Sequence, residues 1–192
     1  MYVNELTGAI DLIIDESNPD ILYASMWEKD RKAWNFDGAG LGSGIYKSTD
    51  AGKSWSHIGL KNVGQIGAVE THPDNPDIVY VAAIGQPFQP NEERGLYKSL
   101  DGGKTWENIL FISNKIGIVD VEISPDNPNV IYAASWRGER KPWTIISGSE
   151  KGGIYKSTDE GKTWIKLKKG LPEGNIGKID FLCFFNKGSC NS

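Results

Sequence analysis

Histidine is almost missing from this chain: His57 and His72 are the only two, with no ligand spacing to each other or to a cysteine. A zinc site is therefore not supported, and no metal is expected. Cysteine is as scarce, and both copies, Cys183 and Cys190, fall in the last ten residues, so the body of the chain needs no disulfide and the redox compartment stays open. No run of apolar residues is long enough for a membrane span. Basic residues do not cluster: the net charge is −4, and Lys166, Lys168 and Lys169 read as a solvated strand edge and loop, so a nucleic-acid surface is excluded. Helical periodicity appears nowhere, and no Gly-x-Ser-x-Gly elbow is present. The Gly-rich stretch Gly38 to Gly44 opens a strand rather than a helix, which does not suit a phosphate cradle. No cofactor is expected.

What the chain does have is repetition. Ser48-Thr-Asp-Ala-Gly-Lys-Ser-Trp55 returns as Ser99-Leu-Asp-Gly-Gly-Lys-Thr-Trp106 and Ser157-Thr-Asp-Glu-Gly-Lys-Thr-Trp164, each after Gly-(Ile/Leu)-Tyr-Lys. Alternating apolar and polar residues run into an Asp-x-Gly turn and resume at a Trp, the signature of a β-hairpin. Asp50, Asp101 and Asp159 suit acceptance of turn N–H groups, Gly52, Gly103 and Gly161 suit positive φ, and Trp55, Trp106 and Trp164 suit burial between neighbouring repeats. These roles make the aspartates poor catalytic candidates.

The three aspartates are 51 and then 58 residues apart, a period of four short strands and one variable loop. An offset of 109 residues aligns residues 1–55 with 110–164 without a gap, pairing Gly8 with Gly117, Asp11 with Asp120, Tyr23 with Tyr132, Trp27 with Trp136 and Trp34 with Trp143. The first and third repeats are thus more alike than either is to the second. Within each repeat the first strand covers 9–15, 67–72 or 117–124 and ends at a Pro/Asn/Asp turn, Ser17 to Asp20, Pro73 to Asp77 or Pro125 to Asn129. The second strand covers 21–26, 78–84 or 130–135 and is nearly all apolar, as a strand buried on both faces should be. The expected fold is all-β, a propeller of four-stranded antiparallel blades at about 9–59, 66–112 and 116–169, with a partial blade from 176 and a tail, 181–192, outside the repeat. Residues 1–4 align with the outer strand of a preceding blade, so the chain reads as starting inside a repeat with no signal peptide, a fragment of a larger propeller. The remaining blades, or self-association through the open flanks, would cover its ends.

Two groups of residues stand out as site candidates. Loops on a rigid scaffold carry binding residues, and the loops after each second strand hold Trp27, Arg31, Trp34, Phe36, Phe88, Glu93, Arg94, Trp136, Arg140 and Trp143. These rings either stack on sugars or grip a peptide while the charges orient it, or fold back to cap their own loops. Asp11, Glu70, Asp120 and Asp180 form the second group, each three residues past a glycine at the start of an innermost strand. A carboxylate ring at a channel mouth suits the acid and base of glycoside hydrolysis, but also cation binding or hydrogen bonds between blades.

The motif Ser-x-Asp-x-Gly-x-(Thr/Ser)-Trp resembles the Asp box of BNR-repeat propellers, within the wider WD40/YVTN/BNR-like repeat class. The runs Glu28 to Lys47, Asn75 to Ala83 and Pro90 to Gly95 extend the likeness to bacterial sortilin/VPS10-like propellers, often labelled BNR-repeat glycosyl hydrolases. The resemblance covers roughly residues 1–180 and implies a secreted or periplasmic parent protein. Its relatives include sialidases, xyloglucan-type endoglucanases and sortilin-type receptors that bind peptides in a propeller tunnel. No catalytic residue carries over: the arginines are Arg31, Arg94, Arg137 and Arg140 alone, and no Arg-Ile-Pro segment is present. The resemblance implies a glycan- or peptide-binding propeller, with an incomplete glycoside hydrolase as the alternative.

Overall fold

A computed structural model describes residues 1–32 and 36–183, with residues 36 and 37 described by their backbone. The first blade holds β1 (Thr7–Ile14), β2 (Leu22–Glu28), a small pair β3 (Asp30–Arg31) and β4 (Phe36–Asp37), β5 (Gly44–Ser48) and β6 (Ser56–Gly59). The second holds β7 (Gln65–His72), β8 (Asn75–Gly85), β9 (Gly95–Ser99) and β10 (Glu107–Leu110). The third holds β11 (Gly117–Ile123), β12 (Ile131–Trp136), the pair β13 (Gly138–Lys141) and β14 (Thr144–Ser147), β15 (Gly153–Ser157) and β16 (Ile165–Lys166). Each blade is one antiparallel sheet in simple chain order: β1-β2-β5-β6, β7-β8-β9-β10 and β11-β12-β15-β16. Among the described residues there is no helix, hence none long and apolar enough to cross a membrane.

The blades stack face to face because their second strands are apolar on both sides. Along β8, Val79, Val81 and Ala83 join Tyr23, Ile45 and Ile66 in a core between the first and second blades. The alternate residues Tyr80 and Ala82 join Leu96, Ile118 and Ala133 between the second and third. Successive side chains of a strand point to opposite faces, so one strand feeds two cores. Each fully buried Val, Leu or Ile contributes about 1.5–3 kcal/mol.

Two glycines set how closely the second and third blades approach. A Cβ on Gly67 would lie 2.0 Å from the Val119 carbonyl oxygen, and one on Gly117 would lie 2.1 Å from that of Ile84. No side chain fits at either place. Polar ties accompany this contact: Lys47 Nζ donates to the Gly102 carbonyl at 3.1 Å and Lys98 Nζ to that of Glu160 at 3.1 Å, each reaching the turn of the next blade. Lys47, Lys98 and Lys156 also lie over the rings of Tyr23, Tyr80 and Tyr132.

The turn between the first two strands of the second blade is shorter than the sequence suggests. β8 begins at Asn75 and His72 pairs with Asn75, which leaves only Pro73 and Asp74 in the turn. The first and third blades keep the longer form, in which the Asn18 and Asn127 side chains accept the N–H groups two residues on. Residues 176–180 form no strand, and Ile176 bridges to Ser149 of the third blade.

Antiparallel order puts the connections after β2, β8 and β12 on one end of the blades and the Asp-x-Gly turns on the other.

Candidate functional site

The three Asp-x-Gly turns share one geometry. Ser48 Oγ donates to Asp50 Oδ1 at 2.8 Å and accepts the Gly52 N–H at 2.8 Å, while Ser54 donates to Asp50 through both N and Oγ. Ser99, Asp101 and Thr105 repeat this set, as do Ser157, Asp159 and Thr163. These bonds, led by the hydroxyl at position 54, 105 or 163, hold the three carboxyls down at about 2. Gly52, Gly103 and Gly161 have positive φ, and so do the residues before them, including the non-glycines Ala51 and Glu160. Trp106 packs into the core shared with the first blade and donates to the Ile58 carbonyl across it at 3.0 Å. Trp164 packs toward the second blade. The Ser, Asp and second Ser/Thr side chains of each motif thus bond to one another and to the turn's own N–H groups.

On the opposite end, the structure separates the loop residues into anchors and an exposed group. Arg94 is an anchor: burial pushes its guanidinium down to about 10, it is 1% exposed, and it donates to the carbonyls of Ile84 at 2.6 Å, Gln86 and Gln89. The expectation that Arg94 orients a ligand is thus corrected, because its charge closes the loop 86–94 from within. Trp27 donates to the Gly38 carbonyl at 2.8 Å, and Trp136 to Ser147 Oγ at 3.0 Å while its ring covers Gly138. Both rings cap their own loops. Glu93 accepts from Asn91 at 3.2 Å, and Arg31 is exposed. Trp34 lies outside the described residues, as does the side chain of Phe36.

Trp143 behaves differently. It sits with Pro142 in the two-residue turn between β13 and β14 and is 81% exposed. Its hairpin is stiffened at the root: Glu139, nearly buried, pairs with Arg137 at 3.2 Å and with Lys141 at 2.5 Å, which holds its carboxyl below the ordinary range. The Arg140 N–H donates to the Pro87 carbonyl at 2.7 Å, seating the hairpin on the loop of the second blade. That loop exposes Phe88. The sequence names Trp143 and Arg140 but passes over Glu139, whose value depends on two cations two residues to either side along one short strand.

The axial carboxylates line a groove of about 410 Å³ between the three innermost strands, with Asp11, Glu70, Asp120 and Glu122 on its walls. Asp11 Oδ2 accepts the Val69 N–H of the next blade at 3.0 Å, and Asp120 Oδ2 accepts that of Phe181 at 3.3 Å. Asp11 thus joins two blades, while Asp120 holds the segment that follows the third. Asp180, exposed, hydrogen-bonds to Asp120, whose carboxyl is raised chiefly by burial. Glu70 is pushed up to about 7 by burial first, then by Glu122, Asp11 and Asp120. Glu122, also raised by burial, was legible from the strand period of two but falls outside the repeat register. No group of three or more metal-binding side chains exists among the described residues. Both histidines serve turns: the Gly59 N–H donates to His57 Nδ1 and that of Asp74 to His72 Nδ1, each at 3.1 Å.

The Sortilin-Vps10 family, described as "Sortilin, neurotensin receptor 3", matches residues 43–179. A protein of Neosartorya fischeri named a probable oligoxyloglucan-reducing end-specific xyloglucanase is 30% identical over 132 residues, covering 64% of this chain and 14% of that protein. A vacuolar protein sorting/targeting protein 10 of Colletotrichum graminicola is 29% identical over 97 residues, covering 50% and 5%. The chain therefore spans a small part of these relatives. Among solved structures, an ancestral GH74 enzyme superposes with a TM-score of 0.60 at 21% identity over 91% of this chain and 19% of that one. The GH74 enzyme of Niastella koreensis follows at 0.52 and 20%, over 83% and 30%. These likenesses concern the fold, which is all-β with four-stranded antiparallel propeller blades.

Proposed function

Because this chain belongs to the Sortilin-Vps10 family of β-propellers, we propose that it is a binding propeller that takes a glycan or peptide on its loop face. The observation that carries the reading is Trp143: an indole held 81% exposed at the tip of a hairpin braced by two ion pairs and a neighbouring loop. A large flat ring on a stiff mount offers contact area at little entropic cost. Phe88 adds a second exposed ring from the loop on which the hairpin rests. The names of the relatives favour these ligand classes, one being a xyloglucanase and the other a protein-sorting factor.

A glycan and peptide array tests it. Trp143→Ala should weaken binding at least about tenfold, the loss of one well-stacked ring, and Trp34→Ala provides the matched variant in the first repeat. Unchanged binding in both variants refutes the loop-face reading.

The glycoside hydrolase alternative draws support from one observation, the Glu70 carboxyl pushed up to about 7 beside three other acids. A carboxyl near neutrality suits a general acid. It is the weaker reading because Asp11 and Asp120 spend an oxygen on main-chain N–H groups. Release of reducing sugar from xyloglucan oligosaccharides, abolished by Glu70→Gln, would reverse the ranking.

A further inference from the structure

We propose that the axial groove binds a linear polyamine of the spermidine type, with one end among the carboxylates of Glu70 and Glu122 and the other at Asp15. Asp15 is the residue that points to a ligand. It is 5% exposed, and while its Oδ1 accepts the N–H and the hydroxyl of Ser17, its Oδ2 has no hydrogen-bond partner. A buried oxygen left without a donor is costly, the more so on a charged group, and an incoming ammonium supplies the donor. Lys47 acts on Asp15 through space, but its ammonium donates to the Gly102 carbonyl, and the two form no ion pair among the described residues. Asp15 lines a cavity of about 250 Å³ at the Asp-x-Gly end of the innermost strands, together with Glu16, His72 and Ile123. Ile13 and Glu70 line both this cavity and the 410 Å³ groove of the other axial acids, so the two adjoin along one wall.

Charge and spacing select the ligand. No lysine or arginine stands on these walls among the described residues. A carboxylate has about four lone-pair sites, and Glu70 and Glu122 each take one main-chain N–H, from Thr71 and Cys183, which leaves both able to accept more. No three of the acids are placed to share a metal ion among the described residues, so a ligand whose charges are spaced along a chain suits them better than a compact ion. The Asp11 bond to the Val69 N–H sets the upper acids level with that residue. Asp15 lies four residues further along the strand, about 13 Å at roughly 3.3 Å per residue. A triamine covers that span, with its methylenes on Ile13 and Ile123 and its end ammoniums at the two carboxylate groups.

Calorimetric titration of the 192-residue chain with spermidine in about 150 mM salt tests the proposal. One molecule should bind per chain with a Kd of about 100 μM or lower. Asp15→Asn, which keeps the Oδ1 that Ser17 uses, and Glu70→Gln should each weaken it at least about tenfold. Glu107→Gln, on the outermost strand β10, should leave it unchanged. The shorter diamine putrescine should bind less tightly and be indifferent to Asp15→Asn. Affinity should rise with pH through about 7, where Glu70 loses its proton, and level off above. Asp11, Asp120, Glu122 and Glu16, Asp180 through Asp120, and His72 act in the same direction, since protonation of any of them disfavours a cation; burial pushes the Cys183 thiol up and keeps it neutral. Several weak sites that Glu107→Gln disturbs equally, magnesium binding as well as spermidine, an oligolysine peptide binding in its place, or no heat at about 1 mM each overturns the proposal. If circular dichroism shows a variant unfolded, the parent decides: putrescine equal to spermidine, or an affinity flat with pH, overturns it.

Discussion

Glu70 differs from Asp11 and Asp120 by one methylene, and its carboxyl ends among acids rather than on the neighbouring blade. A carboxyl raised from an ordinary 4.5 to about 7 binds its proton more tightly in the folded state than in the unfolded one. Stability therefore falls as pH rises from about 4.5 to 7 and levels off above that. The loss amounts to about 2–3 kcal/mol for a largely buried carboxyl. Glu70→Gln should remove it: urea denaturation should find the variant the more stable protein at pH 8 and nearly equal to the parent at pH 4. Equal stability at pH 8 would mean that Glu70 is better solvated than the groove implies. Arg94 shows the opposite case, a charge kept buried because three carbonyls take its donors.

The repeated turn is an element whose strength rests on a hydroxyl rather than on its acid. Ser99 is 1% exposed and accepts two N–H groups while donating to Asp101. Ser99→Ala strands those donors and should cost about 1–3 kcal/mol, read as a lower melting temperature by calorimetry; a shift within error would show that the turn reorganises around water. These turns, the apolar second strands and the glycine spacing were legible in sequence because each is written within a few residues of itself. The hairpin of β13 and β14 was not, since its strands are four residues long and its seat, the Arg140 N–H on the Pro87 carbonyl, joins two loops far apart in sequence. The Lys47 and Lys98 ties escaped for the same reason: donor and acceptor are 55 and 62 residues apart. Arg94 misled because a charged residue in a polar loop reads as exposed until its carbonyl partners are seen.

At the scale of the whole molecule the blades are unequal. β8 is covered on both faces, whereas most of β1 stands open. Local opening follows buried contact, so amides of Leu12 to Ile14 should exchange well before those of Val79 to Ala83 in hydrogen exchange read by mass spectrometry. Matching protection in the two strands would mean that β1 is better covered in solution than its exposure implies.

Between the second and third blades, Gly67 and Gly117 meet backbone where a Cβ would have to stand. This places a constraint on heredity as well as on packing. Every single-base missense change in a glycine codon introduces a residue with a Cβ, whether alanine, serine, valine, cysteine, arginine, tryptophan or an acid. At these two codons no conservative missense mutation is available, and a lineage that keeps this blade contact has silent changes alone open to it there.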